Sequence, residues 1–204
     1  GIDLGVGSVV ALSGVLAAMA AAATGSSVVV PLLVALGVGA LTGVVNGTLI
    51  AYFRVPAFVV TLALLTAARG GAFLVSHGRS HGDLPDAFGF LGRSVVLGVP
   101  MPVIVMAIVM LAGGFMLTRT VFGRHVYAVG GNAEAAWLAG IDTRRVTFLV
   151  YMFDGLLGGL GGLTLASRLG AGVPNAGVQY ELDVIAACVV GGTSLTGGRG
   201  TVIG

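Results

Sequence analysis

The chain has 204 residues, 56% of them hydrophobic and 9% charged, where an ordinary soluble domain carries roughly 25% charged residues; a fully water-facing surface cannot be built from it. All ten basic residues are arginine, and the net charge of +2 is too small for a nucleic-acid surface or a polybasic lipid patch. The lack of lysine also excludes the phosphate loop GxxxxGK[ST], and no GxGxxG supports a dinucleotide fold.

In chain order, no charged side chain lies between Asp3 and Arg54, and none between Arg93 and Arg119. A helix crosses a bilayer core with roughly 20 consecutive apolar residues, so both gaps are wide enough for spans. The pattern predicts five of them, at 6–23, 28–53, 58–75, 99–117 and 146–166; the Thr24-Gly25-Ser26-Ser27 turn between the first two is undistinguished. A sixth apolar run, 182–192, is too short to cross before glycines interrupt it. It reads as a half-helix or re-entrant element enclosed by protein, because unpaired backbone facing lipid costs several kcal/mol per group. The fold class is all-α, a polytopic transmembrane helical bundle. Because the chain starts at Gly1 rather than Met and stops at Gly204 in a glycine-rich segment, residues 1–204 read as a single transmembrane domain incomplete at both ends.

Small residues recur at helical spacing: Gly39, Gly43 and Gly47 in one register, Gly155 with Gly159 and Gly158 with Gly162 in others. That spacing lets helix backbones approach closely, and close packing is the expected role. The segments 1–7 and 192–198 share the pattern GxxLxxG, an echo expected of an internal repeat of the kind that places discontinuous helices around a central path.

Residues 118–147 carry Arg119, Arg124, Arg144 and Arg145, whereas 76–98 balance Arg79 and Arg93 against Asp83 and Asp86. The positive-inside rule makes the first loop cytoplasmic and the second external. Within the cytoplasmic loop, Asn132, Ala133, Glu134, Ala135, Ala136, Trp137, Leu138, Ala139, Gly140 and Ile141 spell a two-turn helix. Asn132 caps its start, Glu134 puts negative charge in its first turn, and Gly140 supplies a left-handed stop. So short a helix needs a surface to rest on: a protein partner, or lipid headgroups with Trp137 as anchor.

His77 and His81 stand four apart near Asp83 and Asp86, but the surrounding Gly and Pro make a loop, and solvated polar residues account for them better than a metal site. The lone Cys188 sits in an apolar run, is expected to be a small buried residue, and has no paired His for nucleophilic chemistry. Neither a catalytic residue nor a metal site is expected.

Charge inside a membrane costs roughly 2.5–3.5 kcal/mol at the centre, so Asp154 and Arg69 need explaining. Asp154 lies near mid-membrane and must face a polar cavity or carry a proton. Arg69 is expected in the outer half of its span, snorkelling or meeting an acidic partner. Both suit a translocation path or a structural pair. For Asn46, Thr61, Thr66 and Gln179 interhelical hydrogen bonds are expected. Glu181 and Asp183 fit the acidic first turn of a short helix, with docking of an external protein as a second reading.

Several stretches carry a family resemblance. Phe122-Gly123-Arg124 through Gly140-Ile141, with the EAAxxxG pattern on Glu134-Ala135-Ala136 and Gly140, resembles the cytoplasmic coupling loop of ABC-importer permeases of the ribose/xylose type. The same family is suggested by Gly1-Ile2-Asp3-Leu4, Asn46-Gly47, Val55-Pro56-Ala57-Phe58, Val60-Thr61-Leu62, Ala68-Arg69-Gly70 and Leu84-Pro85-Asp86-Ala87-Phe88. Most specific are Tyr180-Glu181-Leu182-Asp183-Val184-Ile185-Ala186-Ala187 and Gly191-Gly192-Thr193-Ser194-Leu195. Asp154 departs from the pattern, since relatives are expected to hold a small or neutral polar residue there.

The resemblance implies a multi-pass permease of the bacterial cytoplasmic membrane that imports a monosaccharide, a pentose such as ribose or xylose, without an enzymatic activity or cofactor of its own. Its implied partners are a second permease copy in a homodimer, a cytoplasmic ATP-binding subunit that binds and hydrolyses the ATP, an extracytoplasmic sugar-binding protein, and the bilayer; no nucleic acid is implied. Coupling to the ATPase falls on 132–141. The candidate translocation path comprises Asp3, Asn46, Thr61, Arg69, Asp154, Glu181, Asp183, Thr193 and Ser194. The alternative is an ion-coupled transporter or channel for a small polar solute, which would want several embedded carboxylates; Asp154 alone qualifies clearly.

Overall fold

Five helices among the described residues are long and apolar enough to cross a membrane: α1 (Val6–Thr24), α2 (Val29–Ala51), α3 (Ala57–Ser76), α5 (Met101–Arg119) and α8 (Thr143–Leu169), with the four-residue α4 (Phe90–Arg93) before α5. They match the five predicted spans to within three residues at each end. The structure, a computed structural model, describes residues 1–25 and 28–204. Ser26 and Ser27, of the stretch expected to join the first two spans, lie outside the described residues.

α1 is the centre of the bundle: Val15, Ala17, Ala18 and Ala21 have no exposed surface. α8 packs on it through one glycine register and on α2 through another. Gly158 lies against Val9 and Gly162 against the backbone of Val10 and Gly14, whereas Gly155 and Gly159 meet Gly39 and Ala35. A β-carbon on Gly43 would stand 2.5 Å from the carbonyl oxygen of Tyr151. The three helices therefore touch backbone to backbone, which is how helices gain dispersion energy in a solvent as apolar as their side chains.

α1 and α8 do not start at the same level. Val6, the first residue of α1, lies beside Gly158, halfway along the 27 residues of α8. The predicted short element is α9 (Tyr180–Val190), 11 residues long, about 16 Å at 1.5 Å per residue and too short to cross. Its start is also at half height, where Gly177 abuts Gly7. α8 ends on Gly170 at φ +69°, and 170–179 turn back into the bundle, so two helix N-termini meet near its middle. Of the two GxxLxxG segments, 1–7 runs into α1 while 192–198 follows α9 without forming a helix among the described residues.

The 118–147 segment holds more helix than the one short element expected in it. α6 (Val121–Gly131) fills its first half, capped by Thr120, whose Oγ1 accepts from Gly123 N at 3.1 Å. The cap and the packing of Phe122 on Phe153 of α8, ring centroids 5.9 Å apart, hold the turns of α6 together. At the opposite end, the long connection contains a 3-10 turn (Asp86–Gly89) and a hairpin of β1 (Val95–Val96) and β2 (Val99–Pro100). Ser167 Oγ ties it to α8 by donating to Phe88 O at 2.6 Å, and His81 exchanges two 2.9 Å backbone bonds with Gly172.

Candidate functional site

The segment before α1 is held in place by side chains from three helices. Asp3 Oδ1 accepts from the Gly5 amide at 2.5 Å, and its Oδ2 accepts from Asn46 Nδ2 at 3.3 Å. Thr61, fully buried, donates through Oγ1 to Ile2 O at 3.5 Å. Asn46 and Thr61 thus bond outside their own helices, but to the irregular segment before α1 and not to another helix as expected. Thr66 does not: it is exposed and its hydroxyl goes to Ala63 O of its own helix. Gln179 instead forms the left-handed turn into α9, at φ +69°.

Asp154 of α8 faces Asp3 closely enough for the two carboxyl groups to share a hydrogen bond. One turn earlier, Tyr151 is 5% exposed, and its hydroxyl, against Gly1 and in electrostatic range of both carboxyls, has no hydrogen-bond partner among the described residues. These groups wall one side of a cavity of about 360 Å³ whose other side is Val184, Ile185, Cys188 and Val189 of α9 with Thr193 and Ser194 beyond it. The volume falls in the range of small-molecule sites, about 300–1,000 Å³.

Four of the nine path candidates, Asp3, Asp154, Thr193 and Ser194, therefore line one cavity. The others stand apart from it. Arg69 neither snorkels nor reaches the cavity; its Nη1 donates to Pro174 O at 3.0 Å and Ala176 O at 2.7 Å, with Glu181 in electrostatic range. Free carbonyls of the returning 170–179 segment were a nearer partner than water. Glu181 and Asp183 both fall in the first turn of α9; Glu181 lies by Gly7 and Asp183 is exposed.

Two cavity residues escaped sequence reasoning. Tyr151 precedes Asp154 by three positions and so shares its helix face, a signal that was present and unused. Cys188 was expected to be buried and is exposed, lining the cavity; α9 buries none of its residues fully, so an apolar run was mistaken for a core.

At the arginine-rich end, α7 (Ala133–Leu138) is the predicted short helix. Asn132 Oδ1 accepts from Ala135 N at 2.9 Å, Gly140 takes φ +84°, and its amide donates to Trp137 O at 2.9 Å. Ala136 faces inward at 5% exposure, while Trp137 and Leu138 are 65% and 73% exposed. Asp142, which the sequence reading passed over, caps α8 by accepting from Arg145 N at 3.0 Å.

Comparison with known proteins adds a lineage to this geometry. A family model described as branched-chain amino acid transport system / permease component matches residues 1–204. The chain is 43% identical over 209 residues to the ribose import permease protein RbsC of Haemophilus influenzae, covering 100% of this chain and 64% of that protein. It is 43% identical over 203 residues to the L-arabinose ABC transporter permease protein AraH of Azospirillum brasilense, covering 100% and 60%. To the xylose transport system permease protein XylH of Escherichia coli K12 it is 38% identical over 264 residues, covering 100% and 67%. The chain thus spans less than two thirds of the length of RbsC and AraH. No solved structure matches it.

Proposed function

The chain belongs to the branched-chain amino acid transport system / permease component family, and from that premise we propose that it forms much of the membrane path of an ATP-binding-cassette importer for a pentose. The names of its relatives, for ribose, L-arabinose and xylose, support the substrate class. The bacterial cytoplasmic membrane is the setting, with the arginine-rich end inside.

The observation that carries the reading is α7. A six-residue helix capped at both ends yet presenting Trp137 and Leu138 outward has no stability of its own and is shaped to be gripped. In the proposed importer it sits against the cytoplasmic ATP-binding subunit, which hydrolyses the ATP; closure of that subunit pushes on 132–141 and rocks the spans. A second permease copy completes the path, and an extracytoplasmic binding protein delivers the sugar. Asp3, Asp154, Thr193 and Ser194 line the route. The permease itself makes and breaks no covalent bond.

An ion-coupled transporter is the second reading. It gains from the Asp3–Asp154 juxtaposition, two embedded carboxyls rather than one, but leaves the exposed face of α7 without a task. Reconstitution separates them. The full-length permease with its ATPase and binding protein in vesicles imports pentose only with ATP, and Glu134→Arg or Gly140→Pro abolishes import while leaving membrane insertion intact. Pentose import by the permease alone, driven by an ion gradient, overturns the reading in favour of the second.

A further inference from the structure

We propose that the cavity beside Asp3 and Asp154 is a monosaccharide waypoint whose Asp154 carboxyl and Tyr151 hydroxyl read neighbouring sugar hydroxyls, so that the permease discriminates among sugars itself. The proposal rests on the importer reading above.

Its physical basis is the mismatch between polar groups and partners at this one place. Both oxygens of Asp3 are engaged, by Gly5 N and Asn46 Nδ2, so Asp3 is a fixed post. Among the described residues Asp154 meets the Asp3 carboxyl and no amide, hydroxyl or guanidinium donor, and the Tyr151 hydroxyl, buried against Gly1 and able both to donate and to accept, bonds nothing among them. A carboxyl and a phenol three residues apart on one helix face line the same cavity of about 360 Å³, where a ring bearing several hydroxyls can meet both. Thr193 and Ser194 add hydroxyls at the far side, and the rest of the wall is apolar.

Location argues the same way. The cavity lies between the irregular segment that leads into α1 and the later part of α9, and interrupted helices are where transporters form substrate sites. A largely apolar wall with a few hydrogen bonds holds a solute weakly enough to let it leave, as conduction requires. The cavity is far larger than a bare ion needs, which favours a polyhydroxylated solute over a cation.

Cys188 lines the same cavity and is exposed, giving a native reporter. The experiment uses the full-length permease with its ATPase and binding protein in vesicles, any other permease cysteines replaced by serine. The rate at which methanethiosulfonate ethylammonium modifies Cys188 is followed against D-ribose, L-arabinose, D-xylose and singly deoxygenated pentoses. The transported pentose is expected to slow modification. Tyr151→Phe and Asp154→Asn each raise the half-protecting concentration about tenfold, the loss of one hydrogen bond to a charged or buried group. One deoxygenated pentose protects poorly in the unmodified permease, and that deficit shrinks in Asp154→Asn, which a merely structural role would not produce. The deoxy series on the unmodified protein decides the matter if a variant fails to fold. A complex that imports pentose while saturating pentose leaves Cys188 modification unchanged overturns the waypoint alone; a complex that imports no pentose overturns the importer reading and the waypoint with it.

Discussion

Asn46 of α2 donates its side-chain amide to Asp3, 43 positions earlier, at 3.3 Å. Asn46 is 2% exposed, so no water competes for the bond, and it fixes the irregular 1–5 segment against the C-terminal part of a neighbouring helix.

Asn46→Leu keeps the volume and removes the donor. It is expected to destabilise the full-length permease by about 1–3 kcal/mol, the range for a buried bond to a charged group, read as a lowered midpoint of thermal unfolding in detergent. An unchanged midpoint would mean that Asp3 holds its place by other means.

Gly43 and Gly37 lie on the same helix and should respond oppositely. A β-carbon at Gly43 meets Tyr151 O at 2.5 Å, whereas nothing lies within 4 Å of one at Gly37. Gly43→Val is predicted to separate α2 from α8 and cost 1–3 kcal/mol or more, on the order of core overpacking. Gly37→Ala is neutral or stabilising by up to about 1 kcal/mol. Parallel melting curves check the contrast.

Arg69 holds the 170–179 segment through two carbonyls. Replacing it with Met should free that segment, seen as faster backbone hydrogen exchange over 170–179 with α1 and α8 unaffected. Lys retains the charge but not the planar fork and is expected to fall between. Equal protection in all three proteins would show that the His81–Gly172 pairing suffices.

Gly140 has φ +84°, a conformation that costs most residues about 1–2 kcal/mol but which Asn tolerates. Gly140→Asn should therefore retain pentose uptake and Gly140→Val lose most of it. Asn132→Ala removes a cap, a cost of about 1 kcal/mol, and should lower uptake partially, with Asn132→Ser preserving it. The measurement is sugar imported per ATP hydrolysed in vesicles. Full uptake by Gly140→Val would detach the shape of α7 from coupling.

Much was legible in the residues alone. Spans follow from long gaps between charges, since a charge in hydrocarbon is costly wherever it sits, and α7 follows from Asn132 and Gly140, whose capping chemistry is local. α6 and the place of Cys188 in the cavity were not legible, because each depends on what lies across from it: Phe153 for Phe122, and Tyr151 and Asp154 for Cys188.

By itself the order of residues determined how many helices cross and where a short one is punctuated, because lipid solvation and helix caps act within a turn or two of the residues concerned. Only the tertiary structure decided that Asp3, Tyr151, Asp154 and Ser194 share a cavity while Arg69 and Asp183 stand outside it. That choice rests on glycine contacts between α1, α2 and α8, which set the height at which each helix begins, and a height is a property of neighbours rather than of any one segment.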